Sequence, residues 1–231
     1  MPTALITGGS AGLGRALAEV LAEQGWRLVL DARSAGRLAE TAGRLARRTE
    51  VRVVVGDVAD PVHRTELVTA VAESGAGLDL LVNNASTLGQ TPLPRLADAD
   101  LPTLRRAYEV NLFGPLALVQ LLLPALARAG GAVVNISSDA AVADYPGWGG
   151  YASTKAALDL VTRTLAAEQP ELRWYSFDPG DLRTELHQAA FPGEDISDRP
   201  LPETVAPRLL GLLTLPSGRY TAAELPVPAG R

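Results

Sequence analysis

The sequence predicts an α/β fold in which helices cover both faces of a doubly wound parallel sheet. Short apolar runs of about five residues alternate with longer amphipathic segments along most of the chain. Strands that are buried on both faces are continuous apolar runs, without the alternation of a half-exposed strand. The chain has 231 residues, 47% of them hydrophobic, and no linker or repeat divides it. We therefore expect a single domain over residues 1–231.

The first predicted elements are a strand at residues 4–7 and a helix at residues 12–24, joined by a glycine-rich turn. Further strands are predicted at residues 27–31, 51–55, 78–82, 132–136 and 172–177, and further helices at residues 35–48, 61–73, 97–129, 151–168 and 204–215. Pro115 and Pro124 predict a break or kink in the longest helix, because proline removes a backbone donor. Near the C-terminus only a weak strand is predicted, around residues 219–222.

The composition argues against several classes of function. Cysteine is absent, which rules out a disulfide framework and thiol catalysis. The two histidines, His63 and His187, do not have a metal-ligand spacing, so no metal site is expected. The net charge of −5 argues against a nucleic-acid partner. Without a signal peptide or ~18 consecutive apolar residues, we expect no membrane span and a cytoplasmic location.

The turn after the first strand has the pattern T-G-x-x-x-G-x-G and opens a helix. Such a turn lets the backbone approach a pyrophosphate, and the helix N-terminus supplies N–H donors and positive dipole charge. An ordinary glycine-rich turn is the alternative, but the position between strand and helix favours dinucleotide binding. The candidate cofactor-binding residues here are Thr7, Gly8, Ser10, Gly12, Leu13 and Gly14.

Other polar or glycine-containing segments also follow predicted strands. They contain Asp57 and Val58, then Asn83 and Ala85, then Ser138, and finally Pro179, Gly180, Leu182 and Thr184. In open α/β sheets, ligands bind just beyond the carboxyl ends of the strands. The order of these segments therefore predicts one ligand site along that edge.

Tyr151 and Lys155 are the most specific pair in the sequence. They are four residues apart on a predicted helix, so they share one face. A nearby ammonium favours the phenolate and would lower the pKa of the tyrosine. An exposed helix pair is the alternative interpretation. Lys155, however, is the only lysine in a chain whose other basic residues are all arginine, which favours a catalytic role.

Together these motifs resemble the short-chain dehydrogenase/reductase family, over residues 3 to about 184. The resemblance rests on the T-G-x-x-x-G-x-G turn, the N-N-A segment, the spacing of Asn111, Ser138, Tyr151 and Lys155, and the P-G-x-x-x-T segment. Ser86 is a departure, because the family has glycine there. The resemblance implies a Rossmann-like fold and hydride transfer between a nicotinamide cofactor and a small carbonyl or alcohol substrate. It also implies a homodimer or homotetramer, formed through the long helices.

The resemblance also implies roles for individual residues. Tyr151 would donate a proton to the carbonyl oxygen and Ser138 would position that oxygen. Lys155 would hold the nicotinamide ribose and lower the pKa of Tyr151, and Asn111 would anchor a water that links Lys155 to solvent. Asp57 would contact the adenine. Two alternatives stay open: a non-enzymatic dinucleotide-sensing protein, and an epimerase or dehydratase on the same fold.

The residues after the second strand decide the choice of cofactor. Asp31 could accept hydrogen bonds from the ribose hydroxyls of NAD, whereas Arg33 could bind the 2′-phosphate of NADP. In the family the acid that selects NAD aligns with Ala32, whose small side chain would leave room for the 2′-phosphate. We therefore expect NADP, with NAD as the alternative. We also expect Asp31 to point aside or to orient Arg33. The family also implies a substrate lid within about residues 185–202. Tyr145, Trp148, His187 and Phe191 are candidates for the substrate pocket.

Overall fold

A computed structural model describes residues 1–75 and 77–226. Within those residues, seven parallel strands form one sheet in the order β3-β2-β1-β4-β5-β6-β7. The strands are β1 (Thr3–Ile6), β2 (Arg27–Ala32), β3 (Val51–Val55), β4 (Leu80–Asn83), β5 (Ala132–Ile136), β6 (Arg173–Asp178) and β7 (Gly218–Thr221). The helices are α1 (Gly12–Glu23), α2 (Ala35–Leu45), α3 (Pro61–Glu73), α4 (Leu101–Tyr108), α5 (Gly114–Ala129), α6 (Gly149–Glu168), α7 (Glu185–Ala190), α8 (Pro202–Val205) and α9 (Arg208–Leu212). The predicted doubly wound fold is confirmed, while the last five residues of the expected single domain lie outside the described part.

Apolar side chains cover both faces of this sheet. Ala4 and Ile6 of β1 belong to one core cluster, which also contains residues of α1, α2 and α9. Leu5, between them, belongs to a second cluster with residues of α3 and α5. Successive residues of a strand point to opposite faces, so burial of both faces requires an apolar residue at every position. This requirement explains the uninterrupted apolar runs in the sequence.

The long helical region differs from its prediction in where it is interrupted. The expected break near Pro115 takes the form of a π-helical turn, Glu109–Phe113, between α4 and α5. Pro124 lies inside α5 and the helix continues past it, so there is no break at this position, and the alternative of a kink stays a prediction.

The stretch Leu101–Ala129 is also apolar enough, by length and composition alone, to cross a membrane, in contrast to the expectation of no membrane span. Half of its most apolar window is buried, and Leu118, Leu122 and Leu126 pack into the core, so we interpret it as a core helix.

The C-terminal part forms two short helices and a seventh strand. The helix predicted at residues 204–215 is divided into α8 and α9, with Pro207 directly before α9. Proline cannot donate the backbone hydrogen bond that would continue α8. The weak strand prediction is confirmed: β7 pairs with β6, with Ser176 opposite Arg219. The sheet therefore extends past β6, and β7 lies next to the carboxyl end of β6.

Two close contacts hold α1 and α3 against the carboxyl ends of β1 and β2. A Cβ added to Gly14 of α1 would lie 2.3 Å from the carbonyl oxygen of Gly8, so only glycine lets this helix approach the first turn so closely. The second contact joins α3 to β2, where Nε2 of His63 lies 2.9 Å from Oδ2 of Asp31. Both side chains are almost completely buried. Burial by itself would lower the pKa of His63, but the hydrogen bond and charge of Asp31 raise it above its usual value.

Replacing Gly14 by alanine should lower the free energy of unfolding by about 1–3 kcal/mol, because the new methyl group overpacks the turn at Gly8. Gly43→Ala is the matched control: Gly43 lies in α2 and has open space around it. That change should raise stability by about 0.5–1 kcal/mol through helix propensity. Urea unfolding measures both variants, and equal stability of the two would contradict the close approach of α1.

Replacing His63 by alanine should destabilise the fold by about 3–5 kcal/mol, because it leaves the Asp31 carboxylate buried without its partner. The double variant Asp31→Ala/His63→Ala should lose less than the sum of the two single variants. Urea unfolding at pH 7 completes this cycle. Strictly additive losses would show that the two side chains do not interact.

Candidate active site

A cleft of about 880 Å³ runs along the carboxyl edge of the sheet. It collects most of the residues that the sequence predicts for the site. These are Gly8, Ser10, Gly12, Leu13, Asp31, Arg33, Asp57, Val58, Ala85, Ser138, Tyr151, Lys155, Pro179, Gly180, Leu182 and Thr184. Four other predicted residues, Thr7, Gly14, Asn83 and Asn111, do not line the cleft, and their contacts show that they support its walls.

The glycine-rich turn has the backbone shape that its sequence predicts. Gly8 and Gly12 have φ angles of +69° and +52°, in the left-handed region that favours glycine. Helix α1 begins at Gly12 without a side-chain cap from Ala11, which leaves its first N–H groups available to an anion. Ser10, Gly12 and Leu13 line the cleft at this point. The turn therefore fits the pyrophosphate of a dinucleotide.

Thr7 and Asn84 join the first turn to the end of β4. The backbone N–H groups of Asn84 and Ala85 each donate to Oγ1 of Thr7 at 3.0 Å. Nδ2 of Asn84 donates to the carbonyl oxygens of Thr7, at 2.9 Å, and Gly8, at 3.3 Å. Asn83 points the other way and donates to Asn135 of β5 at 2.7 Å. Thr7, Asn83 and Asn84 thus act as crosslinks between the strands that form the cleft.

Asp31 and Arg33 have different positions at the end of β2. The Asp31 carboxylate is 2% exposed, and it accepts hydrogen bonds from the Gly8 N–H at 2.7 Å and from His63. It therefore points aside, and the alternative expectation that it orients Arg33 is wrong. Arg33 is exposed, lines the cleft and has no ion-pair partner among the described residues. Arg33 is the group here that could bind a further anion.

Asp57 does not have a free side chain. One oxygen accepts from the Ala59 N–H at 2.9 Å, and the other accepts from Arg106 of α4. Arg106 also lines the cleft, although it belongs to none of the sequence motifs. The contact of Asp57 with adenine stays a prediction, and Arg106 is placed to fix the orientation of Asp57.

Tyr151, in the first turn of α6, lies in the cleft wall and is 7% exposed. Burial raises the pKa of its phenol, and the nearby hydroxyls of Ser86 and Ser138 only partly oppose that effect. The sequence predicts a lowered pKa for Tyr151, because the spacing of Tyr151 and Lys155 reveals the nearby ammonium. The burial that raises the pKa is visible only in the structure. At neutral pH the buried phenol is protonated and can donate a proton.

Lys155 lies one helical turn further along α6 and is 2% exposed. Its ammonium donates to the carbonyl oxygen of Ile136 at 2.7 Å and lies 5.6 Å from the centre of the Tyr151 ring. Burial lowers the pKa of Lys155 to about 8, and the charge of Asp159 opposes this shift. The ammonium is thus held at the end of β5, beside the tyrosine.

Asn111 lies in the π-helical turn and forms hydrogen bonds with segments that line the cleft. Its side chain donates to the Thr87 carbonyl oxygen at 2.8 Å and to Oγ1 of Thr154 at 3.0 Å. It also accepts from Ser86 and from the Thr87 N–H. These contacts tie the π-helical turn to α6 and to the loop after β4. The water-mediated link to Lys155 stays a prediction.

Beyond Tyr151 the cleft has an aromatic wall and an acidic residue. The Trp148 ring centre lies 5.8 Å from those of Tyr151 and Phe191, and His187 lies 4.9 Å from Phe191. The carboxylate of Asp139 accepts from Ser138 Oγ at 3.1 Å and from the Tyr145 hydroxyl at 2.9 Å. All four aromatic candidates for the substrate pocket line the cleft. Closure of residues 185–202 as a lid stays a prediction.

Comparison with known proteins identifies the family of this chain. A family model described as short chain dehydrogenase matches residues 2–195. Sepiapterin reductase of Mus musculus is 36% identical over 199 residues, covering 80% of this chain and 76% of that protein. The benzil reductase of Bacillus subtilis, described as (S)-benzoin forming, is 34% identical over 188 residues, covering 79% of this chain and 75% of that protein.

Solved structures agree with this result. An alcohol dehydrogenase from the archaeon Thermococcus sibiricus, solved as a complex with 5-hydroxy-NADP, superposes with a TM-score of 0.87. It is 32% identical, and the match covers 100% of this chain and 98% of that one. The resemblance expected from the motifs is confirmed. From its sequence, its fold and the arrangement of its cleft, the chain belongs to the short-chain dehydrogenase/reductase family of oxidoreductases.

Proposed function

We propose that this oxidoreductase is an NADPH-dependent carbonyl reductase that acts on small aromatic carbonyl compounds. The observation that carries the proposal is the placement of a buried, protonated Tyr151 beside Ser138 and Lys155, in the same cleft as Arg33, whose guanidinium forms no ion pair with the residues that the structure describes. A proton donor and a phosphate-binding group thus lie in one cleft. When bound, NADPH would supply the hydride.

The glycine turn and Arg33 would hold the cofactor. The pyrophosphate would lie against the N-terminus of α1, where N–H groups and dipole charge favour an anion. The guanidinium of Arg33 would bind the 2′-phosphate with charge-assisted hydrogen bonds. Asp31 is already engaged by Gly8 and His63, which makes it a poor acceptor for the hydroxyls of an NAD ribose. The similarity to an enzyme complexed with 5-hydroxy-NADP supports the same choice.

The catalytic residues would control the proton and the carbonyl oxygen. Ser138 would donate a hydrogen bond to that oxygen, and its hydroxyl already lies at the cleft surface. Tyr151 would transfer its phenolic proton to the same oxygen as negative charge develops there. The buried ammonium of Lys155 beside the ring would stabilise the phenolate that remains.

The aromatic wall supports an aromatic substrate. Trp148, His187 and Phe191 form contiguous ring contacts next to Tyr151, and a flat ring can pack against such a surface. Asp139 adds an exposed carboxylate beside Ser138, which disfavours anionic substrates. Relatives named sepiapterin reductase and benzil reductase support the reduction of an aromatic carbonyl compound.

We also propose that the chain self-associates into a homodimer or homotetramer through α5 and α6. Leu121 of α5, Leu160 of α6 and Phe113 next to α5 are large apolar residues with exposed surface. Burial of such residues between copies would remove apolar area from water. Light scattering at several concentrations measures the mass of the assembly.

Tyr151→Phe should reduce turnover of an aromatic ketone at least ~10²-fold, because it removes the proton donor while keeping the ring. The Kd for NADPH, measured by fluorescence, should change little. Tyr220→Phe is the matched control, since the Tyr220 hydroxyl donates to the Pro216 carbonyl oxygen outside the cleft. Turnover by Tyr151→Phe at the wild-type rate would rule out this assignment of the acid.

Arg33→Ala should weaken NADPH binding by about 1–3 kcal/mol, the range for a hydrogen bond to a charged group, and should barely affect NADH. Arg47→Ala makes the same charge change at an exposed position outside the cleft and should leave both cofactors unaffected. Fluorescence titration of the wild type and both variants with each cofactor gives the six dissociation constants. Equal losses for NADPH and NADH, or a wild-type preference for NADH, would contradict the role of Arg33.

A further inference from the structure

Arg219, in the last strand of the sheet, reaches three segments of the catalytic site. Its Nε lies 3.0 Å from Oδ2 of Asp159 in α6. Its Nη2 donates to the carbonyl oxygen of Ser138 at 3.0 Å and lies 3.4 Å from Oδ2 of Asp178 at the end of β6. One side chain therefore crosslinks the ends of β5 and β6 with the helix that carries Tyr151 and Lys155.

Each of these contacts leads to a group that the proposed reaction uses. The Ser138 carbonyl belongs to the residue whose hydroxyl would hold the substrate oxygen. Asp159 follows Lys155 by one turn of α6. The other oxygen of Asp178 accepts from the Gly180 N–H at 2.9 Å, within the segment that the family resemblance places beside the nicotinamide. Movement of Arg219 would therefore disturb the serine, the helix and the cofactor loop together.

The charge of Arg219 also matters, because two carboxylates converge on it. The side chains of Asp159 and Asp178 are 7% and 6% exposed. Within residues 1–75 and 77–226, Arg219 is the only cation that forms an ion pair with either of them. A buried carboxylate without a partner is costly, so the two acids require this arginine.

The same carboxylates influence the catalytic groups. Burial lowers the pKa of Lys155, and Asp159 is the charged group that opposes this shift. Burial raises the pKa of Tyr151, and the charges of Asp178 and Asp139 raise it further. Arg219 is therefore placed to offset the field that Asp159 exerts on Lys155 and that Asp178 exerts on Tyr151.

We propose that Arg219 is a positioning residue for the carbonyl reduction, which fixes the Ser138 segment against α6 and neutralises the paired carboxylates of Asp159 and Asp178. This proposal rests on the proposed function. A guanidinium presents several N–H donors in a fixed plane, so it can bind three acceptors from three segments at once. A lysine ammonium at the same position keeps the charge but not this geometry.

Lys155 provides a direct readout, because it is the only lysine in the chain. Protein labelled with ¹³C at the lysine ε-carbon gives one lysine signal, and its shift with pH reports the pKa of Lys155 without any turnover. We expect a pKa of about 8 in the wild type. In Arg219→Met the pKa should rise, because the charge of Asp159 is no longer balanced. Arg47→Met is the matched control, since Arg47 is an exposed arginine outside the cleft, and it should titrate like the wild type.

Kinetics test the positioning role. In Arg219→Met, kcat for an aromatic ketone should fall at least ~10-fold, because a small displacement of Ser138 is amplified in the rate. The Kd for NADPH should change far less than kcat, since the adenosine and pyrophosphate contacts are untouched. Wild-type kcat, or an unchanged Lys155 titration, in this variant would overturn the proposal.

Arg219→Lys keeps a cation between the two carboxylates. It is the variant to measure if Arg219→Met does not fold. It should keep the thermal unfolding temperature near the wild type and still lose kcat, because the contact to the Ser138 carbonyl needs the guanidinium fork. Full kcat in Arg219→Lys would overturn the proposal. If the wild type binds NADPH but reduces no carbonyl compound, the proposed function fails, whereas the Lys155 titration still reports the charge effect of Arg219.

Discussion

The crosslink between the ends of β1 and β4 holds the cleft in shape. Oγ1 of Thr7 accepts from the N–H groups of Asn84 and Ala85, and Nδ2 of Asn84 donates to the carbonyl oxygens of Thr7 and Gly8. These bonds fix the first glycine turn against the loop after β4. Gly14 lets α1 approach the same turn closely enough to align its N-terminus with the cleft. The glycine turn and the loop after β4 therefore form one wall of the cleft, and the parallel register of β4 and β5 places Ser138 at the same edge of the sheet.

The two ends of the cleft differ in charge and in chemistry. Near the end of β2, the exposed guanidinium of Arg33 offers a site for an anion, and Arg106 holds Asp57 in place. Around the catalytic serine, Asp139 and Asp178 face the cleft beside aromatic rings, and Lys155 is buried against the Ile136 carbonyl. A phosphate-bearing cofactor matches the first end. The second end suits a neutral aromatic carbonyl compound, with Arg219 limiting the effect of the carboxylates on the proton-transfer residues.

The sequence predicts features that depend on local patterns, and it does not predict contacts between distant segments. Apolar runs and the glycine turn predicted the strands and α1, and the spacing of Tyr151 and Lys155 predicted that they share one face of α6, which lines the cleft. No local pattern joins Asp31 to His63, or Arg219 to Ser138, because these pairs form only when the sheet is assembled. Asn83 and Asn84 give a second example. The sequence predicts Asn83 as a cofactor residue, but the structure shows that Asn84 is the one that contacts the glycine turn. The raised pKa of Tyr151 likewise depends on burial, which the sequence does not show.

The most direct test of this account is a single-turnover measurement with NADPH that carries deuterium at the transferable position of the nicotinamide. The enzyme is mixed with this cofactor and with ketones or aldehydes, and the products are analysed by mass spectrometry. The account predicts an alcohol with one deuterium on the former carbonyl carbon, with aromatic ketones reacting fastest. Tight NADPH binding without deuterium transfer to any of these compounds would contradict it, and would favour a protein that binds the dinucleotide without catalysing a reaction.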